Sequence, residues 1–378
     1  MTDYPSNRDE ELLHTIALNA IKGVGPTVAR RLIDEFGSAT AIFREKPEAL
    51  RTIPRIGCDL ATGCRSCQVL DEAEREMDFI RRHNITTLLF DDDDYPDRLR
   101  DCPDAPLLLY AVGNANLNVR HTVSIVGTRN ATRYGRDLVE DFLSEAARLE
   151  PELLVVSGLA YGIDVTAHRS ALHAKLPTVG VLAHGLDRIY PDQHRHVARE
   201  MLAAGGLLTE YPSRTNPDRG NFLARNRIVA GLADATIVVE TADKGGSIVT
   251  ASIADSYGRQ VFAFPGRVGD AQSVGCNRLI RQQKAGLITS AADLFEAMGW
   301  DKTFVGRQLE IPFEKPQQEL SEAERQLVDL LKSDGEMQLN TMVLKTGKPV
   351  SELTSLLMGL EMQGVVGNAP GGLYRLRG

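Results

Sequence analysis

Residues 214–227, RTNPDRGNFLARNR, hold four arginines and one aspartate around a single ring, Phe222. Guanidinium groups grip phosphates as a fixed fork, and a ring stacks on a base for about 1–3 kcal/mol. This composition suits a strand of nucleic acid tracked without sequence reading; the alternative is a solvated arginine face with Phe222 in the core. Other loops carry related chemistry. Gly127-Thr128-Arg129 combines a close backbone, a hydroxyl and a positive fork, and Ser157-Gly158 offers donors ahead of a helix. Lys244-Gly245-Gly246-Ser247, with Thr250 one turn on, forms an anion nest at a helix start. The loop AHGLDRIYP, residues 183–191, suits either structure or ligand. The residues expected to contact nucleic acid are Gly127, Thr128, Arg129, Ser157, Gly158, Lys175, Arg219, Phe222, Arg225, Asn226, Arg227, Lys244, Gly246, Ser247 and Thr250.

Other chemistries lack their residues. No Gly-x-Gly-x-x-Gly fingerprint and no Walker lysine after a Gly-rich loop is present, which disfavours nicotinamide dinucleotides and P-loop ATP chemistry. Asp164 reads as a helix-start residue, and His168 as a buried hydrogen-bonding group. Cys58, Cys64 and Cys67 contain one Cys-x-x-Cys pair with no second pair or spaced histidine, short of the four ligands of a zinc site. No catalytic residue, metal or cofactor is expected.

The elements that must position these loops are legible between residues 105 and 300. Apolar, β-rich runs at 122–126, 153–157, 178–182, 207–209, 235–240 and 260–264 alternate with helical stretches near 135–149, 162–174, 194–204, 225–232, 247–257 and 275–284. Continuous apolar strands separated by helices imply a parallel sheet covered on both faces. The expected class is α/β: an extended Rossmann-like, doubly wound, mostly parallel sheet, whose ligands bind beyond the carboxyl ends of the strands.

Two smaller modules flank it. Residues 16–33 place Gly23-Val24-Gly25 between two apolar-periodic helices, like a helix–hairpin–helix, with a weaker copy at Ile53–Gly57. Either Gly23, Gly25 and Arg30 meet a phosphate there, or the glycines only close turns in a packing module. The tail reads as three helices and a hairpin, a winged-helix pattern. Its third helix, 349–363, carries Glu352 and Glu361 but no lysine or arginine, which argues against base reading in a major groove. The expected boundaries are 1–104 for a helical helix–hairpin–helix (SAM-like) domain with an acidic connector, 105–300, a linker at 301–320, and 321–378.

Charge qualifies the binding reading. The 378 residues hold 43 Lys+Arg against 51 Asp+Glu, a net charge of −8. A negative average counts against nucleic acid only if it is evenly spread. Residues 71–104 alone hold 12 acidic and 5 basic side chains, including Asp91–Asp94, whereas 121–300 hold 19 of each. We expect the acidic stretch to keep DNA on one face by repulsion. The start, MTDYPSNRDEELLH, lacks a basic region followed by an apolar one, and five cysteines do not make a disulfide framework, so a reducing cytoplasm is expected.

The ordered series SIVGTR, VVSGLAYGIDVTAH, VGVLAHGLDRIYP, LLTEYP, NFLARNRIVAGLADATIVVE, GGSIVTASIA and VFAFPG-x8-GCNRLI resembles the DNA-processing protein A family, also called DprA or Smf. The resemblance covers about 121–290, and the helical front and small tail fit that family's three-part layout. It implies single-stranded DNA binding, a homodimer, and loading of RecA recombinase during natural transformation and recombinational repair, with single-strand-binding protein as a further partner. It implies a phosphate-contacting role for Arg129 and a base-contacting segment through Arg219, Phe222, Arg225, Asn226 and Arg227. One departure falls after the helix near 278–284, where QQKAGLI stands in place of the family's common Gly-Ala step, beside the implied dimer surface. The rival reading is a nucleotide-hydrolysing enzyme of the phosphoribohydrolase type, whose Gly-Gly-x-Gly-Thr loop is similar to Gly-Gly-Ser-x-x-Thr here. Those enzymes place a glutamate after the threonine; Thr250 is followed by Ala251, Ser252 and Ile253, none of which is an acid or base.

Overall fold

A computed structural model describes residues 7–300, 320–369 and 373–376, and the chain divides into two units, Met1–Asp301 and Lys302–Gly378. The expected linker at 301–320 falls almost wholly outside the described residues.

The first unit is built on a nine-stranded sheet of order β1-β2-β6-β5-β4-β3-β7-β8-β9. The strands are β1 (Thr86–Leu89), β2 (Leu108–Gly113), β3 (Thr122–Val126), β4 (Leu154–Ser157), β5 (Thr178–Val181), β6 (Gly205–Thr209), β7 (Ala235–Val238), β8 (Gln260–Ala263) and β9 (Gly286–Leu287). From β6 to β9 all neighbours are parallel. Strands β3 to β7 are buried at every position, because helices cover both faces. Alternation of side chains sends Val123, Ile125, Val155 and Ile237 into one core, and Val126, Val156, Val179 and Val238 into the other. After β3 the chain winds outward through β4, β5 and β6, then returns to place β7 on the other side of β3. The crevice between β3 and β7 is therefore the switch point at which such sheets bind ligands.

The helices are α1 (Asn7–Ala20), α2 (Pro26–Phe36), α3 (Ala39–Arg44), α4 (Pro47–Arg51), α5 (Gly57–Gly63), α6 (Cys67–His83), α7 (Asp97–Arg100), α8 (Arg133–Leu149), α9 (Ile163–His173), α10 (Arg195–Met201), α11 (Arg219–Gly231), α12 (Gly246–Ser256), α13 (Val274–Arg281) and α14 (Ala291–Ala297). Helix α11 begins at Arg219, six residues before the apolar pattern reveals it. Just past the C-cap of helix α13, Gln283 has φ +57°, the left-handed position that a glycine would occupy without strain. That is the physical content of the departure at QQKAGLI.

The acidic stretch does not act only as a connector. It contributes β1, which pairs antiparallel with β2, and β2 pairs antiparallel with β6. Within Asp91–Asp94, Asp92 closes a turn: its Oδ2 accepts from Leu89 N–H at 2.9 Å and from Arg8 at 2.7 Å. Arg98 meets Asp234 at 2.6 Å, tying α7 to the loop before β7. Helices α1 to α6 enclose a separate core that continues onto Leu89, Leu108 and Tyr110 of the sheet.

The second unit runs α15 (Glu322–Asp334), β10 (Met337–Gln338), α16 (Leu339–Thr346), α17 (Val350–Met362), β11 (Val366–Ala369) and β12 (Leu373–Leu376), with strand order β10-β12-β11. It is the winged-helix pattern expected. A capping box between Ser321 and Glu324 opens α15.

His168 on α9 is fully buried with Nδ1 at 2.7 Å from Thr178 Oγ1, and burial lowers its pKa to about 3. Its folded pKa lies below the unfolded value of 6.5, so the unfolded chain binds the proton first. Stability should therefore fall as pH drops below about 6.5, by up to roughly 1.4 kcal/mol per pH unit for this group. Urea unfolding between pH 7.5 and 5 checks this, with a shallower slope expected for His168→Gln.

Candidate nucleic-acid interface

A cavity of about 300 Å³ opens at the switch point, beyond the carboxyl ends of β3, β4 and β7. Its walls are Gly127–Arg129 after β3, Gly158 and Ala160 after β4, Thr241 and Ala242 after β7, the α12 start at Gly245–Ser247, and the α11 face bearing Phe222, Arg225 and Asn226. The loops close tightly on one another. Thr128 N–H donates to Glu240 O at 2.7 Å, and Thr128 O accepts from Ile163 N–H at 3.1 Å. A Cβ on Gly127 would lie 2.4 Å from Ile163, and one on Gly158 would lie 2.2 Å from the Arg225 guanidinium. These two glycines thus permit close protein packing, where the sequence reading expects a close ligand.

Ten of the expected contact residues line this one cavity: Gly127, Thr128, Arg129, Gly158, Phe222, Arg225, Asn226, Gly246, Ser247 and Thr250. Arg219 and Lys244 are exposed, at the α11 start and in the turn before α12. The rest do not line the cavity. Ser157 is fully buried, its hydroxyl donating to Ile125 O at 2.6 Å. Arg227 is buried on the opposite side of α11 from Phe222 and pairs with Glu210, which removes it from the unopposed arginines. Lys175 is exposed but follows α9 and precedes β5, at the amino edge of the sheet. In the helical front Gly23 has φ +85° and Gly25 caps α2, while Arg30 stacks its guanidinium 3.7 Å from the Phe90 ring. Arg30 thereby serves packing against the sheet. Of the cysteines at 58–67, Cys64 is buried, its thiol pushed up to about 11, while Cys58 and Cys67 are exposed.

The cavity has one arginine at its floor and another at its mouth. Arg225, only 4% exposed, donates through Nη1 to Gly158 O at 2.7 Å and to Val181 O. Beside it, buried Asp164 accepts from Gly158 N–H at 3.2 Å and Ala160 N–H at 3.4 Å. Burial raises the Asp164 pKa, and the Arg225 charge opposes that rise. At the mouth Arg129 is exposed, makes no ion pair among the described residues, and holds Cζ 5.3 Å from the centre of the half-buried Phe222 ring. Helix α12 opens without a side-chain cap, and the buried Ser247 hydroxyl has no partner among the described residues. Donors without protein acceptors at a helix N-terminus fit an anionic oxygen, and the adjacent ring fits a planar base. The aromatic neighbour Tyr190, 5.9 Å from Phe222, carries no signal in the local sequence beyond its place in an ambiguous loop.

Floor and mouth should respond differently to truncation. Arg225→Ala leaves two buried carbonyls and the Asp164 charge uncompensated, so a loss of about 3 kcal/mol or more in unfolding free energy is expected. Arg129→Ala should stay within about 0.5 kcal/mol of the unsubstituted chain. Denaturant titration of both variants checks the split.

Comparison with known proteins follows the same outline. The family model for DNA recombination-mediator protein A matches residues 86–299, the DprA winged helix domain matches 312–372, and a SAM-like helix-hairpin-helix tandem matches 15–62. Protein Smf of Synechocystis is 31% identical across 98% of this chain and 100% of that protein. Protein Smf of Escherichia coli is 32% identical across 80% of this chain and 81% of its own length. The X-ray structure of DNA processing protein A from Streptococcus pneumoniae aligns with a TM-score of 0.62 at 31% identity, covering 76% of this chain and 97% of that one. DNA processing protein A from Helicobacter pylori, a structure described for its single-stranded DNA binding mode, aligns with a TM-score of 0.52 at 31% identity, covering 57% and 96%. With its nine-stranded sheet, helix–hairpin–helix front and winged-helix tail all matched, the chain belongs to the DNA recombination-mediator protein A family, the DprA/Smf proteins.

Proposed function

We propose that this protein binds single-stranded DNA without sequence specificity at the switch-point cavity and loads RecA onto it, in transformation and recombinational repair. The observation that carries the reading is Arg129 set over the Phe222 ring, beside the uncapped start of α12 and the Ser247 hydroxyl, with neither Arg129 nor that hydroxyl paired among the described residues. A phosphate fits the donors and a base fits the ring, neither of which reads sequence. The single-stranded DNA binding mode described for the Helicobacter pylori relative supports the same substrate. A homodimer fits the open edge of the sheet, where β9 exposes Leu287 at 53% and α13 exposes Val274. The winged helix suits protein contact or loose DNA contact, because Lys348 next to α17 is already paired with Glu352.

The protein acts as a binder and not as a hydrolase. Asp164, the carboxylate in the cavity wall, is occupied by two backbone N–H groups, and no acid or base follows Thr250 within the next three residues. No described helix is long and apolar enough to cross a membrane, and a cytoplasmic site of action is part of the proposal.

Mobility-shift titration across a salt series tests the binding reading. Arg129→Ala should weaken binding and reduce the salt slope by about 0.7, one phosphate contact on a single strand. Phe222→Ala should cost about 1–3 kcal/mol with the slope unchanged. Unchanged binding in both variants overturns the site. Acceleration of RecA filament nucleation on strands covered by single-strand-binding protein checks loading. Incubation with nucleoside monophosphates should release no free base.

A further inference from the structure

Beside the cavity, two loops form a rim with features of its own. Tyr190 is 45% exposed, its hydroxyl has no partner among the described residues, and its ring centre lies 5.9 Å from that of Phe222 at a tilt of 54°. An exposed aromatic side chain on a slack loop would mean little, but this loop is held at several points. His184 is buried; its Nδ1 bonds Gly185 O at 2.9 Å, and its Nε2 accepts from the Tyr190 N–H at 3.2 Å. The two bonds require the Nδ1–H tautomer, so the histidine anchors the backbone directly beneath the tyrosine.

The neighbouring loop is fastened to this one. Asp187 accepts from Arg214 N–H at 2.9 Å and from the Arg188 guanidinium at 2.8 and 3.0 Å, and Arg188 reaches across to Asn216 at 2.8 Å. Ser213 N–H in turn donates to buried Glu76 of α6 at 2.9 Å. The Asp187 charge is thus consumed within the rim. The Arg214 side chain remains exposed and without an ion pair among the described residues. An aromatic face and a free cation, both on backbone that need not reorganise, are the two components of a single-strand subsite.

We propose that Tyr190 and Arg214 form a second nucleotide subsite, so that a single strand held at the cavity continues over Phe222 onto this rim. This rests on the reading of the cavity given above. Tyr190 stacks on the base next to the one on Phe222, and Arg214 meets the adjoining phosphate. The hydroxyl takes no part, since a stacking platform needs only the ring.

Fluorescence anisotropy of the full chain with a twelve-residue oligo-dT tests the subsite. Tyr190→Ala should weaken binding roughly tenfold with the salt slope unchanged, and Tyr190→Phe should stay within about twofold. Arg214→Ala should lower the slope by about 0.7. If Arg129→Ala and Phe222→Ala weaken binding but Tyr190→Ala does not, the rim proposal fails and the cavity reading stands; if none of the three matters, both fail. Tyr190→Phe as weak as Tyr190→Ala also overturns the stacking role. Should Tyr190→Ala disturb the fold, Tyr190→Trp decides: its added fluorescence should be quenched by oligo-dT, and intact binding without quenching refutes the subsite.

Discussion

The buried guanidinium of Arg225 is the contact on which the arrangement of this site depends. It reaches from α11 to the backbone carbonyls at the ends of β4 and β5, with Asp164 of α9 beside it. A buried charge is costly unless hydrogen bonds and an opposite charge compensate it; Nη1 makes two such bonds and Asp164 lies near, while Nε has no partner among the described residues. Here those conditions bring three separate segments to one point. Gly158 must lack a Cβ because the guanidinium fills that space. Once Arg225 is seated, the helical period turns Phe222 and Asn226 toward the cavity and Arg227 away from it. The mouth is then left to exposed cations whose charges the fold does not use.

The same division between used and unused charge explains how an acidic chain presents a basic site. Three carboxylates of the acidic stretch are engaged in structure. Glu76 holds the loop at Ser213, Asp92 closes a turn and meets Arg8, and Asp104 faces Tyr257 and Arg227. The other nine of its twelve acidic side chains, Asp91, Asp93 and Asp94 among them, are exposed. At the cavity mouth Arg129 and Lys244 have no ion-paired carboxylate among the described residues, and their field acts on the solvent side.

The helical front shows a related economy. Each of its two hairpin turns holds one residue at positive φ, Gly23 at +85° in the first and Arg55 at +74° in the second. An L-residue pays about 1 kcal/mol or more for that conformation, so the second turn carries a strain that the first avoids. Gly57 then admits the backbone oxygens of Leu50 and Arg51, which would lie within 2.6 Å of any Cβ. The weaker copy read at Ile53–Gly57 falls within the match to a helix-hairpin-helix tandem over residues 15–62.

Sequence alone determined the parallel sheet, because strands buried on both faces must be apolar at every position and show as unbroken runs. It also determined the loops at the switch point, since small and hydroxyl residues collect where helices start against strand ends. Tertiary structure decided which arginines are free. Arg219, Arg225 and Arg227 look alike in one segment, yet the partners that bury the last two come from Gly158, Val181 and Glu210, as far as 67 residues away. It also decided the outer strands. Thr86–Leu89 is four residues beside an acidic run, and only pairing with Leu108–Gly113 makes it a strand. Local pattern reports what a residue must avoid, water or strain, while the identity of its partner is set by contacts that a linear reading does not contain.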